Sequence, residues 1–271
     1  MFLIASQVVG AEEKNSMPEL YFLAVNSSSI RTVILLNDVP LVDLKDGSSV
    51  VHETPVAGWL MPGTNSLKIR AWAAPEMETI TGNVSASIYL HDPASEVPKP
   101  LKILAQAAYP NEDSDTKRKQ HSLEVIFDYE AGTPARLWRE AQTIASITER
   151  DRLEMLSLVD GLGDAITNGD IDKAIEYQKF KIQDDALLEG DSVKEIEMAV
   201  SANYTWLQGQ QGLELRNYDP EGIQYLEMAD HKVIKLVQDS GDEILQFESS
   251  DLFFEMPVYV SKINGAWKIV R

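Results

Sequence analysis

The stretch "DYEAGTPARLWREAQTIA", residues 128–145, decides the fold. Before it, "HSLEVIFDY" (121–129) alternates apolar and polar residues through Leu123, Val125 and Phe127, the period of a half-buried strand. After it, apolar residues recur every three or four positions, the period of a helix with one buried face. A chain that changes period around a Gly- and Pro-containing joint is expected to change architecture there.

Working back toward the N terminus, the strand texture continues. "ELYFLAV" and "IRTVILL" are rich in β-branched and aromatic residues. Asn37-Asp38 separates "TVILL" from "VPLVDL" as a tight hairpin turn. Pro62-Gly63 precedes an alternating run, Leu67, Ile69 and Ala71, and Val84, Ala86, Ile88 and Leu90 share one face of "VSASIYLH". Residues 92–120, with prolines flanking a short apolar piece, read as a long exposed connection. The expectation is an antiparallel β-sandwich over 12–130. "LNDVPL" followed by "LMPGTNSLKIRAW" resembles the turn grammar of jelly-roll or immunoglobulin-like modules. That resemblance implies a sandwich and assigns no activity. Carbohydrate binding would need Trp59, Trp72 and Tyr89 exposed on one sheet, and core packing is the expected role of each.

Working forward, Leu153, Leu156, Val159, Leu162 and Ile166 mark one helix. "GDIDKAIEYQKFKIQ" marks a second through Ile171, Ala174, Ile175 and Ile182, and Ser192 with Glu195 has the spacing of a capping box for a third. From Leu213 the period returns to two, through "IQYLEM", "KVIKLVQ", "EILQFES", "FFEMPVYVSKI" and "AWKIVR". Helices followed by an antiparallel sheet make the region 131–271, and with it the chain, α+β.

"DAITNGDIDKAIEY" and the ending "INGAWKIVR" resemble the helical segment and closing strand of the nuclear-transport-factor-2-like, or cystatin-like, superfamily. The resemblance implies a sheet curled into a cone around long helices, with the Trp267 ring inside it after the Asn264-Gly265 turn. It also implies a cavity that some members use as isomerases or dehydratases and many use only to bind. Enzymes of the superfamily place an Asp, or an Asp–His pair, in the cone, where burial raises the carboxyl pKa. Here His231 and Asp230 sit in a polar run that reads as a hairpin turn; His52, His91 and His121 lie in the other half. Tyr204, Trp206, Tyr225, Tyr259 and Trp267 are candidates to line or to fill the cavity.

Composition limits the function. The 271 residues carry 43 acids against 24 Lys and Arg, a formal net charge of −19. Nucleic acid is not an expected partner of such a surface; the charge fits simple solvation, or a basic protein steered in by it. No cysteine is present, which removes disulfides and thiolate chemistry. No apolar run reaches the ~18 residues of a membrane span, so membrane insertion is not expected. The segment 1–11, "MFLIASQVVGA", reads as a truncated signal peptide or an N-terminal strand. A signal places the protein in the periplasm or outside the cell; a strand leaves it cytoplasmic. No G-x-S-x-G, P-loop, G-x-G-x-x-G or H-E-x-x-H occurs, and Asn111, Asp113 and Asp115 imitate a calcium loop without its glycine and glutamate.

No cofactor, metal or catalytic residue is therefore expected. The expected function is binding of a protein partner by acidic side chains: Asp184, Asp185, Glu189 and Asp191 at helix ends, and Glu112, Asp113 and Asp115 in a loop. Its sharpest form is an immunity protein that neutralises a basic type VI secretion toxin. The alternative is a small-molecule isomerase or lyase working through a buried carboxylate in the cone.

Overall fold

The computed structural model describes residues 19–73, 76–95, 99–110, 119–130 and 134–271. The segment 1–11 and the acids Glu112, Asp113 and Asp115 lie outside the described residues.

The chain is α+β. Among the described residues its first region holds eight antiparallel strands: β1 (Tyr21–Ser28), β2 (Arg31–Leu36), β3 (Val39–Leu44), β4 (Val50–Pro55), β5 (Gly63–Trp72), β6 (Asn83–His91), β7 (Pro100–Tyr109) and β8 (Gln120–Tyr129). They form two four-stranded sheets, in the orders β4-β1-β6-β7 and β3-β2-β5-β8. Alternation along each strand sends one set of side chains between the sheets, the arrangement of a sandwich. Leu23, Ile34, Leu36, Leu67, Ile69 and Ile88 are fully enclosed there. The β2–β3 turn carries Asn37 and Asp38 at φ 53° and 64°. Two successive left-handed residues match the twist of a tight hairpin, which is why Asn-Asp occupies it.

One expectation is corrected. Residues 92–120 are not a bare connection, because β7 runs through them and completes the first sheet. Its inward residues are Ala105, Ala107 and Tyr109. Alanines bury little area and give a weak periodic signal, so the flanking prolines dominated the reading of the sequence.

The second region opens with the short α1 (Arg136–Glu140), then α2 (Glu149–Thr167), α3 (Ile171–Glu189) and α4 (Val193–Gln208). Both Thr148–Asp151 and Ser192–Glu195 form reciprocal capping boxes, starting α2 and α4. α3 ends at Gly190 with φ 75°, a left-handed cap that only glycine adopts without strain. Of the stripe expected on the buried face of α2, Val159, Leu162 and Ile166 are buried, whereas Leu153 is 62% exposed and Met155 takes a place in that core.

Two antiparallel sheets follow. One has the order β10-β11-β14-β15, from β10 (Ile223–Met228), β11 (Val233–Gln238), β14 (Val258–Ile263) and β15 (Ala266–Ile269). The other is β13-β12-β9, from β13 (Phe253–Met256), β12 (Leu245–Glu248) and β9 (Glu214–Leu215). Pro257, which has no N–H to give to a ladder, separates β13 from β14. α2 and α3 pack on β15, and Trp267 sits in that core at 4% exposure.

A third apolar cluster joins the regions. Val39 at the tip of the β2–β3 hairpin packs with Leu137 and Trp138 of α1, Phe180 of α3, Ala229 and Val233 around the β10–β11 turn, and Tyr259 of β14. The Ala229 N–H donates to the Asn37 carbonyl at 3.2 Å. Among the described residues no helix is long and apolar enough to cross a membrane.

Candidate functional site

Beside this shared cluster the two regions leave a cleft of about 1290 Å³. The sandwich supplies one wall: the start of β1, β3 with the loop to Ser48, and the single-turn helix Ala57–Trp59. The opposite wall is the C-terminal half of α3 with Asp191 beyond it. The sheets complete the lining: Lys235 of β11 and Tyr259 of β14 are buried, Glu243 of the turn after β11 is half-buried, and Asp242 of that turn and Glu255 of β13 are exposed.

A buried latch fixes this geometry. Asp184 has no exposed surface and Arg271 has 8%. One Asp184 oxygen accepts from the Arg136 backbone N–H at 2.5 Å and the other from the Arg271 guanidinium at 2.8 Å. The same Arg271 nitrogen donates to the Gly58 carbonyl at 3.1 Å, and the guanidinium lies 5.6 Å from the Trp59 ring centre. One carboxylate thus ties α1, α3 and the chain's last residue to the sandwich. Trp59 in turn meets Tyr259 edge-on at 5.0 Å.

The acids named from sequence separate here. Asp184 is structural, and its place is the interior rather than an exposed helix face. Asp185, one position on, lines the cleft with 24% of its side chain exposed, 3.7 Å from Arg271. Burial pushes its carboxyl pKa up, against the pull of Arg271 and Lys181. Glu189, one turn further, is raised by burial and then by the like charges of Asp185 and Asp191. Asp185, Glu189 and Asp191 therefore form a like-charged row on the cleft wall.

Sequence reasoning missed the other contributors: Asp43 of β3, Asp46 of the loop after it, and Asp242, Glu243 and Glu255 from the sheets. Among the described residues, eight carboxylates line the cleft against four cationic side chains, Lys45, Lys181, Lys235 and Arg271. Their spacing in sequence carries no signal, because the cleft exists only once both regions are packed. Lys235 is 8% exposed and donates to one Glu243 oxygen at 2.5 Å. Tyr259 has its hydroxyl pKa raised by burial and by Glu243.

Of the remaining aromatic candidates, Trp267 and Tyr204 are core residues, Tyr225 packs at the core's edge, and Trp206 stands 59% exposed on α4. Trp59 is half-buried on the cleft and Tyr89 is 1% exposed. His231 pairs with Glu227 at the β10–β11 turn, away from the cleft. Among the described residues no group of acids and histidines is arranged to hold a metal ion. Comparison of the chain with family models, with curated proteins and with solved structures finds no match.

Proposed function

We propose that this chain is a non-enzymatic protein-binding protein, and that its recognition site is the acidic cleft between sandwich and cone, which takes a basic segment of its partner. The observation that carries this reading is the lining, twice as many carboxylates as cations on walls drawn from both regions. Charge complementarity of this kind selects partners and speeds encounter. Size supports the same choice, since about 1290 Å³ exceeds the ~300–1,000 Å³ of small-molecule sites. Neutralising a basic toxin, as a type VI secretion immunity protein does, is one form such binding takes. The region 131–271 is in this reading nuclear-transport-factor-2-like. Its support is the order of long helices and antiparallel sheet, and the Trp267 ring in the core after the left-handed Asn264-Gly265 turn.

A short labelled peptide rich in Arg and Lys is the probe. The double variant Asp185→Lys with Glu189→Lys should weaken its binding about tenfold or more, as loss of a few rim charges does. Reversing Asp164 and Asp172, both exposed and outside the cleft, gives the control. Equal losses in both double variants would mean that net charge, not the cleft, attracts the peptide.

The isomerase or lyase reading draws on one feature, the carboxylate of Glu243 in the cleft. It requires a small ligand that is turned over and that competes with the peptide.

A further inference from the structure

Helix α4 turns one face inward and leaves the other bare. Tyr204 and Leu207 are buried, and Val200 packs against the core of the second region. On the opposite side Met198, Ala202 and Trp206 follow one another a turn apart. All three are exposed, with Ala199 and Thr205 beside them. Met198 stands 62% exposed and Trp206 59%, whereas the other four tryptophans are buried or half-buried. Trp and Met are side chains that protein interfaces enrich.

Two observations say what covers this face. The first is charge. The chain carries −19, yet no charged residue occurs from Met198 to Leu213, the longest uncharged run in the sequence. The nearest acid on the same face, Glu195, is turned back onto the Ser192 cap. A basic partner finds no attraction on a neutral face. Two copies of the chain repel one another through their acidic surfaces and are spared that repulsion here. The second is symmetry. A two-fold contact needs a self-complementary patch, in which residue i meets j and j meets i. Met198 and Trp206 lie four residues on either side of Ala202. Antiparallel α4 helices crossing at Ala202 therefore set each Met198 against Trp206 of the other copy. Sulfur against an aromatic ring is a favourable contact, and alanine at the crossing lets the helices approach closely. The exposed Phe253 lacks such a setting, because it is paired in register with Glu248 and Glu255 follows it on the same strand.

We propose that the outer face of α4, at Met198, Ala202 and Trp206, joins two copies of this chain in a two-fold dimer. Among the described residues none of α4 lines the cleft, so the dimer carries the cleft twice. A partner with two basic segments would then be held by both. The dimer itself does not depend on the cleft being the recognition site.

Sedimentation velocity of the intact chain over a concentration series is the test. One helix pair is a small interface, so the dimer is weak and reversible, and the mean sedimentation coefficient should rise with concentration. Added salt should strengthen it by screening the repulsion between two chains of −19, the reverse of the effect on a basic peptide in the cleft. Trp206→Asp, at an exposed position where folding is little affected, should weaken the dimer about tenfold or more. Ala202→Cys gives the chain its only thiol. On the two-fold axis it should cross-link to its own copy under mild oxidation, and Asp172→Cys, exposed on α3, should not. This second variant decides the matter if Trp206→Asp does not reach the native circular dichroism spectrum. A chain that stays monomeric up to about 1 mM, with Ala202→Cys uncross-linked, overturns the proposal. So does a dimer that folded Trp206→Asp leaves intact. So does an Ala202→Cys thiol closed to a soluble thiol reagent at the lowest concentration, which would mean that the chain itself covers the face.

Discussion

Asp151 shows how much a single side chain can connect. It closes the Thr148 capping box, and its other oxygen accepts from Lys262 at 2.9 Å and from the Trp267 indole at 2.8 Å. These donors, the Thr148 hydroxyl first, hold its carboxyl far below the ordinary range. A folded-state pKa below the unfolded value means the stabilisation is complete above pH ~4 and is lost as pH falls further. Asp151→Asn should therefore cost about 2 kcal/mol near neutrality, as hydrogen bonds to charged groups do, and the gap from the native chain should close below pH ~4. Urea midpoints across that range test it. Asp185 and Glu189 have the opposite sign. Their pKa values are raised in the fold, so each burdens stability above its raised value and the burden lifts as pH falls through it. Asp185→Asn should leave stability equal or higher at neutral pH, measured the same way. Trp267→Ala should cost about 3–5 kcal/mol, because the buried ring leaves a cavity that its neighbours fill only in part. The Trp267 position was legible from the turn before it; its bond to Asp151 was not, since the two residues lie 116 apart in sequence.

Elements read well wherever their signal is local. The Asn37-Asp38 and Asn264-Gly265 turns and the Ser192–Glu195 box each depend on a few adjacent residues, and each is found. β7 failed that standard because its core face is mostly alanine, and Leu153 misled because a helix stripe does not tell which edge meets solvent. Asp184 was illegible for another reason. It looks like its neighbours Asp185 and Glu189, and only Arg271, 87 positions away, makes it structural. Removing one partner of a buried pair strands the other charge. Arg271→Met should accordingly cost about 3–5 kcal/mol, whereas removing both partners in Arg271→Met with Asp184→Leu should cost less than the single change. A double-mutant cycle read by urea denaturation checks this, and additivity would show that the latch is not a unit.

At the scale of the whole molecule, the net charge of −19 was read correctly as a number but not as a place. Its functional part is proposed to be the cleft, where acids from β3, α3 and the turns of the second sheet region converge. Two dependences follow for the basic peptide. Added salt should slow association more than it speeds dissociation, since charges beyond about 10 Å are screened at 0.1 M. Lowering pH should weaken binding earlier than ordinary carboxylates would, because Asp185 and Glu189 take up protons at higher pH than usual. Stopped-flow fluorescence measures both.

The most direct measurement of the central claim is an amide hydrogen-exchange footprint of the intact chain with and without the Arg- and Lys-rich peptide. The account predicts protection on both sides of the cleft at once: the loop around Asp43 to Ser48, the end of α3 at Asp185 to Asp191, and the turn at Asp242 and Glu243. Protection confined to α4 or to the outer faces of the sandwich, with these three segments unchanged, would contradict it.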